Sequence, residues 1–259
     1  MKPLIIANWK MNPVALKEAQ ELFEAEVKEA AKYENVRTVI CPPFVYLGEL
    51  AKKLSAISYQ LSASLGAQDV FWEKSGPFTG EVSAEMLKNF GVSHVLIGHS
   101  DRRYIFGETD EMINKKIKAA LEAGIVPVLL VGEKNRADDR GQVLEKQLSA
   151  ALAGLTADQL SKVLIVYEPV WAISTQAGAE ADTPENALAA IKILQEFLYA
   201  NFQFPIPNLQ FLYGGSVNEK NVGDFLKHPE FSGAVVGGAS LRKEEFANIL
   251  RIVSEVKNG

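Results

Sequence analysis

Eight short apolar runs rich in β-branched residues alternate with longer amphipathic stretches, and this alternation restricts the fold more than any other feature of the chain. The runs lie near residues 3–8, 36–41, 63–67, 92–97, 124–131, 163–167, 209–213 and 233–236. Such runs read as strands of a parallel sheet, whose crossovers must be longer segments, usually helices. Residues 14–31 carry one helix pattern. There Leu16, Ala19, Phe23, Val27 and Ala30 recur at spacings of three and four, with Glu18, Glu21 and Glu29 off the stripe. Thr183-Pro184-Glu185 reads as an N-cap followed by proline at the first helical position. Ala187, Ile191, Leu194 and Leu198 continue an apolar stripe through 183–200, and a last helix is expected near 243–256 with Phe246, Ile249, Leu250 and Val253 inward.

Eight strand–helix units without a low-complexity linker predict an α/β fold, one (β/α)8 barrel domain over 1–259. Periodicity alone leaves an open doubly wound sheet as the alternative. No Gly-x-Gly-x-x-Gly follows the first run, which speaks against dinucleotide binding. A domain of this length buries roughly three quarters of its unfolded surface, so it needs no disulfide or metal staple. Cys41 is the one cysteine, which fits a reducing compartment and also a secreted protein without disulfides. The first apolar run is short for a signal peptide, and no apolar stretch approaches the ~20 residues of a membrane span. The expectation is a cytoplasmic protein without a membrane partner. A net charge of −5 argues against nucleic acid, while leaving room for a local basic pocket.

In a barrel, chemistry gathers where strands end and loops begin. The ends here carry Asn8 and Lys10, Gln68, His99, Glu133, Glu168, Gly214-Gly215-Ser216 and Gly237-Gly238. Glu168 closes a buried run, where a carboxylate is costly unless paired or functional, and Pro169 gives it a stiff exit. Burial suits it to general-base work; position alone leaves a structural salt bridge open. His99 precedes what reads as a helical turn, Ser100-Asp101-Arg102-Arg103, whose positive end disfavours a protonated ring. His94 reads as structural and His228 as surface. Asn8 and Lys10 share one side of the chain by alternation, so an inward Lys10 implies an anionic ligand or a buried ion pair; a snorkelling surface lysine is the alternative.

The glycine pairs after the last two runs suit close approach of backbone N–H groups to phosphate, helped by a helix starting near Asn218 or Ser240. No Cys/His cluster or metal-ligand spacing is present, so no metal is expected. Arg102-Arg103 reads as an ion-pair donor to loop carboxylates such as Glu108.

Five segments, in order and spread over nearly the whole chain, resemble the triosephosphate isomerase family: Ala7–Asn12, Ile97–Arg103, Tyr167–Ile173, Tyr213–Val217 and Val236–Leu241. The resemblance implies an isomerase of dihydroxyacetone phosphate and glyceraldehyde 3-phosphate, acting in glycolysis and gluconeogenesis without a cofactor. Glu168 would move the proton between C1 and C2, and His99 would polarise the carbonyl. Lys10 would stabilise negative charge while Asn8 orients the substrate. Backbone amides of Ser216, Gly237 and Gly238 would hold phosphate, with Asp101 and Tyr213 in support. The segment after Trp171 would be a lid. The stretch from Ala67 to Glu81 resembles a loop that plugs into a second subunit, Thr79 reaching the neighbour's site, which implies a homodimer.

Three departures from the family pattern stand out. The lid 174–182 lacks both usual tip glycines and is about three residues longer, so Ser174 takes over an amide contact to phosphate if closure is the same. A non-glycine there restricts φ. Asp101 replaces the usual Glu and is expected to hold Lys10 less directly. Leu130 stands where the family often has Cys, a packing change. The altered lid leaves a catalytically weak phosphate binder as an alternative, and another phosphate-binding barrel as a further one.

Overall fold

Alternation along the strands sorts the core into two layers. Leu4 and Ile6, Leu96, Val128 and Leu130, Leu164 and Val166, Leu212 and Val235 pack together inside the barrel. Their neighbours in sequence, such as Ile5, Ala7, Val95, Ile97, Leu129 and Ile165, pack outward against the helices. The computed structural model that shows this describes residues 2–56, 62–175, 178–202 and 209–256.

The strands are β1 (Leu4–Asn8), β2 (Arg37–Cys41), β3 (Ala63–Ala67), β4 (His94–Ile97), β5 (Val126–Val131), β6 (Leu164–Tyr167), β7 (Gln210–Tyr213) and β8 (Phe231–Val236). All pair in parallel with their sequence neighbours, and β8 closes on β1. The open sheet is thereby excluded. The closing register pairs Leu4 with Gly233 through Ala7 with Val236. A Cβ at Gly233 would lie 1.9 Å from the Leu4 carbonyl oxygen, so the seam closes only around a glycine. The β7–β8 register also shifts at Phe211/Leu212, one strand away.

The helix Pro184–Phe202 starts as the sequence predicts, with the Thr183 hydroxyl accepting the Asn186 N–H at 3.2 Å. Ala187, Ile191, Leu194 and Leu198 are buried, as are the four predicted positions of Lys243–Val256. The helix Leu16–Ala30 needs one correction. Leu16 is exposed, and the buried face runs instead through Ala19, Leu22, Phe23, Glu26, Val27 and Ala30. Glu26 tolerates burial because the Trp9 indole N–H reaches both its oxygens, at 3.1 and 3.2 Å. Burial raises its pKa well above 4.5, which favours the neutral acid. Among the described residues no helix is long and apolar enough to cross a membrane.

Gly233→Ala is expected to destabilise the protein by about 1–3 kcal/mol, the usual cost of overpacking. A urea midpoint unchanged from the parent would show that the seam has slack.

Candidate active site

The barrel delivers the C-terminal ends of its strands to one rim, where a cavity of about 460 Å³ opens. Asn8, Lys10, His99, Glu168, Ser174, Ser216, Gly237 and Gly238 all line it. Asp101 and Tyr213 support this set from behind. Thr79 is not on the cavity wall; it sits in an exposed loop.

Lys10 is held in a conformation that a non-glycine residue avoids, with φ 52°. Two side chains keep it there. Asn8 Oδ1 accepts the Lys10 N–H at 3.0 Å, and Gln68 Nε2 donates to the Lys10 carbonyl at 2.7 Å. Gln68 also donates to the Cys41 carbonyl at 2.9 Å, which ties the turn to β2. The ammonium reaches Asp101 Oδ2 at 3.1 Å, so the shorter carboxylate still touches the lysine directly, against the expectation.

His99 follows β4 through Gly98. Alternation would send His99 to the outer layer with Val95 and Ile97, but Gly98 has φ 77° and breaks the alternation. A Cβ at Gly98 would also press on the Arg103 guanidinium at 2.9 Å and the Leu130 carbonyl at 3.0 Å. The ring therefore enters the cavity and caps the helix Ser100–Tyr104, with Nδ1 accepting the Asp101 N–H at 3.0 Å. An accepting Nδ1 leaves Nε2 as the proton-bearing nitrogen of the neutral ring. Nε2 lies 3.2 Å from Glu168 Oε1.

Glu168 is 3% exposed, and its Oε2 accepts the Ser100 N–H at 2.9 Å. Burial raises its pKa, opposed by His99, the Ser100 N–H and Lys10. Gly132 must be a glycine here, since a Cβ would lie 2.0 Å from the Glu168 carbonyl oxygen. Glu133 anchors what comes next. Its Oε1 accepts from the Tyr167 hydroxyl at 2.8 Å, Trp171 Nε1 at 3.0 Å and Arg140 Nε at 3.2 Å.

The segment expected to form a lid leaves Glu168 through a 3-10 turn, Val170–Ala172. Ser174 and Thr175 are exposed on the cavity edge, while Gln176 and Ala177 of the predicted lid lie outside the described residues. Gly178 has φ 74°, so a left-handed glycine does occur in the longer lid, four residues after Ser174. Beyond it, Glu180 ion-pairs with Arg136, whose guanidinium lies 5.1 Å from the Trp171 ring centre. Asp182 Oδ1 accepts from the Thr183 N–H at 2.8 Å and from Asn186 Nδ2 at 2.6 Å, fixing the far end.

On the glycine side, Tyr213 stacks on Phe225 with ring centres 3.9 Å apart. A Cβ at Gly215 would meet the Tyr213 hydroxyl at 2.2 Å, so this ring shapes the loop that carries Ser216. No helix starts at Asn218 or Ser240. The helices begin at Val222 and Lys243, and a 3-10 turn, Gly238–Leu241, presents its first residue to the cavity instead.

Other sequence readings resolve plainly. Arg102 pairs with Glu108 at 2.5 Å and with Asp69 at 2.8 Å, and Lys116 joins both acids. Leu130 is buried in the barrel interior. His94 Nδ1 lies 2.8 Å from the Ser93 hydroxyl. His228 is half-buried rather than on the surface. Among the described residues no cluster of three or more His, Cys, Asp or Glu could hold a metal ion. Gln68 and Glu133 stood among the strand-end residues, but no local pattern assigned them a role. Glu26 could have been found, since it falls in register with Ala19, Phe23 and Ala30.

The family model described as Triosephosphate isomerase matches residues 3–253 of this chain. The chain belongs to the triosephosphate isomerase family. It is 43% identical to the triosephosphate isomerase of Citrifermentans bemidjiense over 253 residues, 96% of this chain and 98% of the relative. It is also 43% identical to that of Aquifex aeolicus, covering 96% and 99%. The crystal structure of triosephosphate isomerase from Bartonella henselae superposes with a TM-score of 0.82 at 32% identity, covering 97% of this chain and 99% of that one.

Gln68→Leu removes the donor to the Lys10 carbonyl and leaves that carbonyl short of a partner, at about 1–3 kcal/mol, while the Cys41 carbonyl keeps the Trp9 N–H. The kcat/KM for triose phosphate is expected to fall ~10–100-fold in a folded protein. A steady-state assay within twofold of the parent would show that Lys10 holds its conformation without Gln68.

Proposed function

We propose that this chain interconverts dihydroxyacetone phosphate and D-glyceraldehyde 3-phosphate through an enediolate, with Glu168 as the base. The observation that carries the reading is the pairing of a buried carboxylate with an imidazole nitrogen, Glu168 Oε1 and His99 Nε2, 3.2 Å apart on one cavity wall, while Nδ1 accepts the Asp101 N–H. Glu168 takes a proton from C1 of the ketose and returns it to C2. His99 donates its Nε2 proton toward the carbonyl oxygen and recovers a proton as the enediolate collapses. Lys10 stabilises the negative charge that develops, in a site where few waters compete. Asn8 orients the oxygens, and the N–H groups of Ser216, Gly237 and Gly238 take the phosphate, joined by Ser174 when the lid closes. Closure excludes water and protects the enediolate from losing phosphate. To reach carbon, Glu168 must release the Ser100 N–H it now accepts. No cofactor enters this cycle.

The same reading makes the protein a homodimer built through the loop around Thr79, a single domain per chain, at work in cytoplasmic glycolysis and gluconeogenesis. Exposed Met11, Val14, Val45, Phe78 and Met86 support the dimer, because large apolar side chains left in solvent mark interaction surfaces. A buried Cys41 thiol supports a reducing location.

A coupled assay of glyceraldehyde 3-phosphate isomerisation tests the activity. Glu168→Asp draws the carboxylate back by one methylene and should lower kcat ~100-fold or more with little change in KM. An inactive parent would overturn the reading, and an unimpaired variant would remove Glu168 as the base. Binding of 2-phosphoglycolate, an enediolate mimic, should add about 2.7 kcal/mol of stability at a hundredfold excess over Kd.

The base must be ionised, so the acidic limb of kcat/KM should lie above the ordinary glutamate value of 4.5. Stability moves oppositely. A raised folded pKa means that ionisation costs the native state, so Glu168's contribution declines as pH rises from 4.5 through the raised value. Glu168→Gln should flatten that slope in pH-dependent urea melts; an unchanged slope would assign it elsewhere.

Phe78→Asp should shift sedimentation from dimer to monomer. A monomeric parent would overturn the dimer.

A further inference from the structure

A second cavity, of about 430 Å³, opens at the opposite end of the barrel, where the strands begin. Its wall adds charged groups and hydroxyls to apolar residues such as Leu4 and Val39. Arg37 is the first residue of β2 and shares the inward register of Val39 and Cys41. It crosses the mouth and donates from Nη2 to Gln210 Oε1 of β7 at 3.0 Å. Ser64 and His94, on β3 and β4, complete the inward polar layer. Lys2 stands on the same wall.

This layer lacks a counter-charge. Arg37 is half-buried, and its buried Nε has no hydrogen-bond partner. Burial alone lowers its guanidinium pKa, with no carboxylate pulling the other way. Its charge joins burial in pushing His94 down to about 4, so the imidazole stays neutral and adds no charge of its own. Glu34 is the one carboxylate on the wall, and among the described residues it pairs with neither Arg37 nor Lys2. A cation withdrawn from water with an unpaired donor is costly unless an acceptor supplies the missing charge. Arg–oxyanion pairs, which supply it, are among the strongest hydrogen-bonded contacts.

We propose that the cavity at the strand N-termini is a binding site for a small oxyanion, a phosphate or carboxylate, held by Arg37 with Ser64 as a hydroxyl donor and Lys2 at the rim. The volume suits a ligand of metabolite size. The site lies on the face away from Glu168, so its occupant is neither the triose phosphate in turnover nor its phosphate group.

The test titrates inorganic phosphate, and in a parallel arm malonate, into protein whose catalytic cavity is already filled with 2-phosphoglycolate. The readout is the NMR signal of the His94 ring, with ionic strength held constant. We expect a saturable shift that disappears in Arg37→Gln, while isomerase activity of that variant stays within twofold of the parent. Saturation by phosphate alone names a tetrahedral ligand, and by malonate alone a carboxylate. Should Arg37→Gln fail to fold, Ser64→Val keeps the cation, fills the cavity, and must equally abolish the shift. A His94 signal unmoved by both anions overturns the proposal. So does a shift of equal size in the variants, which would mark a bulk salt effect.

Discussion

Closure of β8 on β1 is the constraint from which the rest of the molecule follows. Once Leu4 faces Gly233, every strand has two neighbours and no edge is left to protect. Closure also fixes which residues look inward, and with that the chemistry of both ends. Asn8, Lys10 and Glu168 gather at one rim only because the parity that buries Leu4, Ile6, Leu164 and Val166 continues past the strand ends. His99 is the exception, and it needs a left-handed glycine to join them.

Much of this was legible in the sequence because the signals are local. Strand runs, the Thr183-Pro184 start and the strand-end positions of Lys10, His99 and Glu168 are properties of short segments. What escaped depends on contacts between segments distant in sequence. Gln68 acts on Lys10 across 58 positions, and Arg37 meets Gln210 across 173. No window of the chain contains either pair. Leu16 failed for a different reason: it fits the stripe, but it is the first residue of its helix and stands clear of the barrel. The Asp101 expectation failed because side-chain length was weighed without the backbone, which brings its carboxylate within 3.1 Å of the lysine.

The lid shows how a changed sequence can keep a role for glycine while moving it. Ser174 occupies the place where the family pattern has a flexible residue, and Gly178 takes the left-handed conformation further along. Both ends of the segment are fixed, by Trp171 on Glu133 and by Asp182 at the following helix.

The imidazole of His99 takes its orientation from the peptide N–H of residue 101, whereas the lysine takes its partner from the side chain of that same residue. The two tasks are thus inherited separately. Replacing the side chain at 101 would remove the lysine's partner and a carboxylate 3.6 Å from His99 Nδ1, yet every residue but proline keeps the N–H that the ring accepts. The direction of the imidazole therefore rests on the backbone at 101 and not on the length of the side chain that stands there.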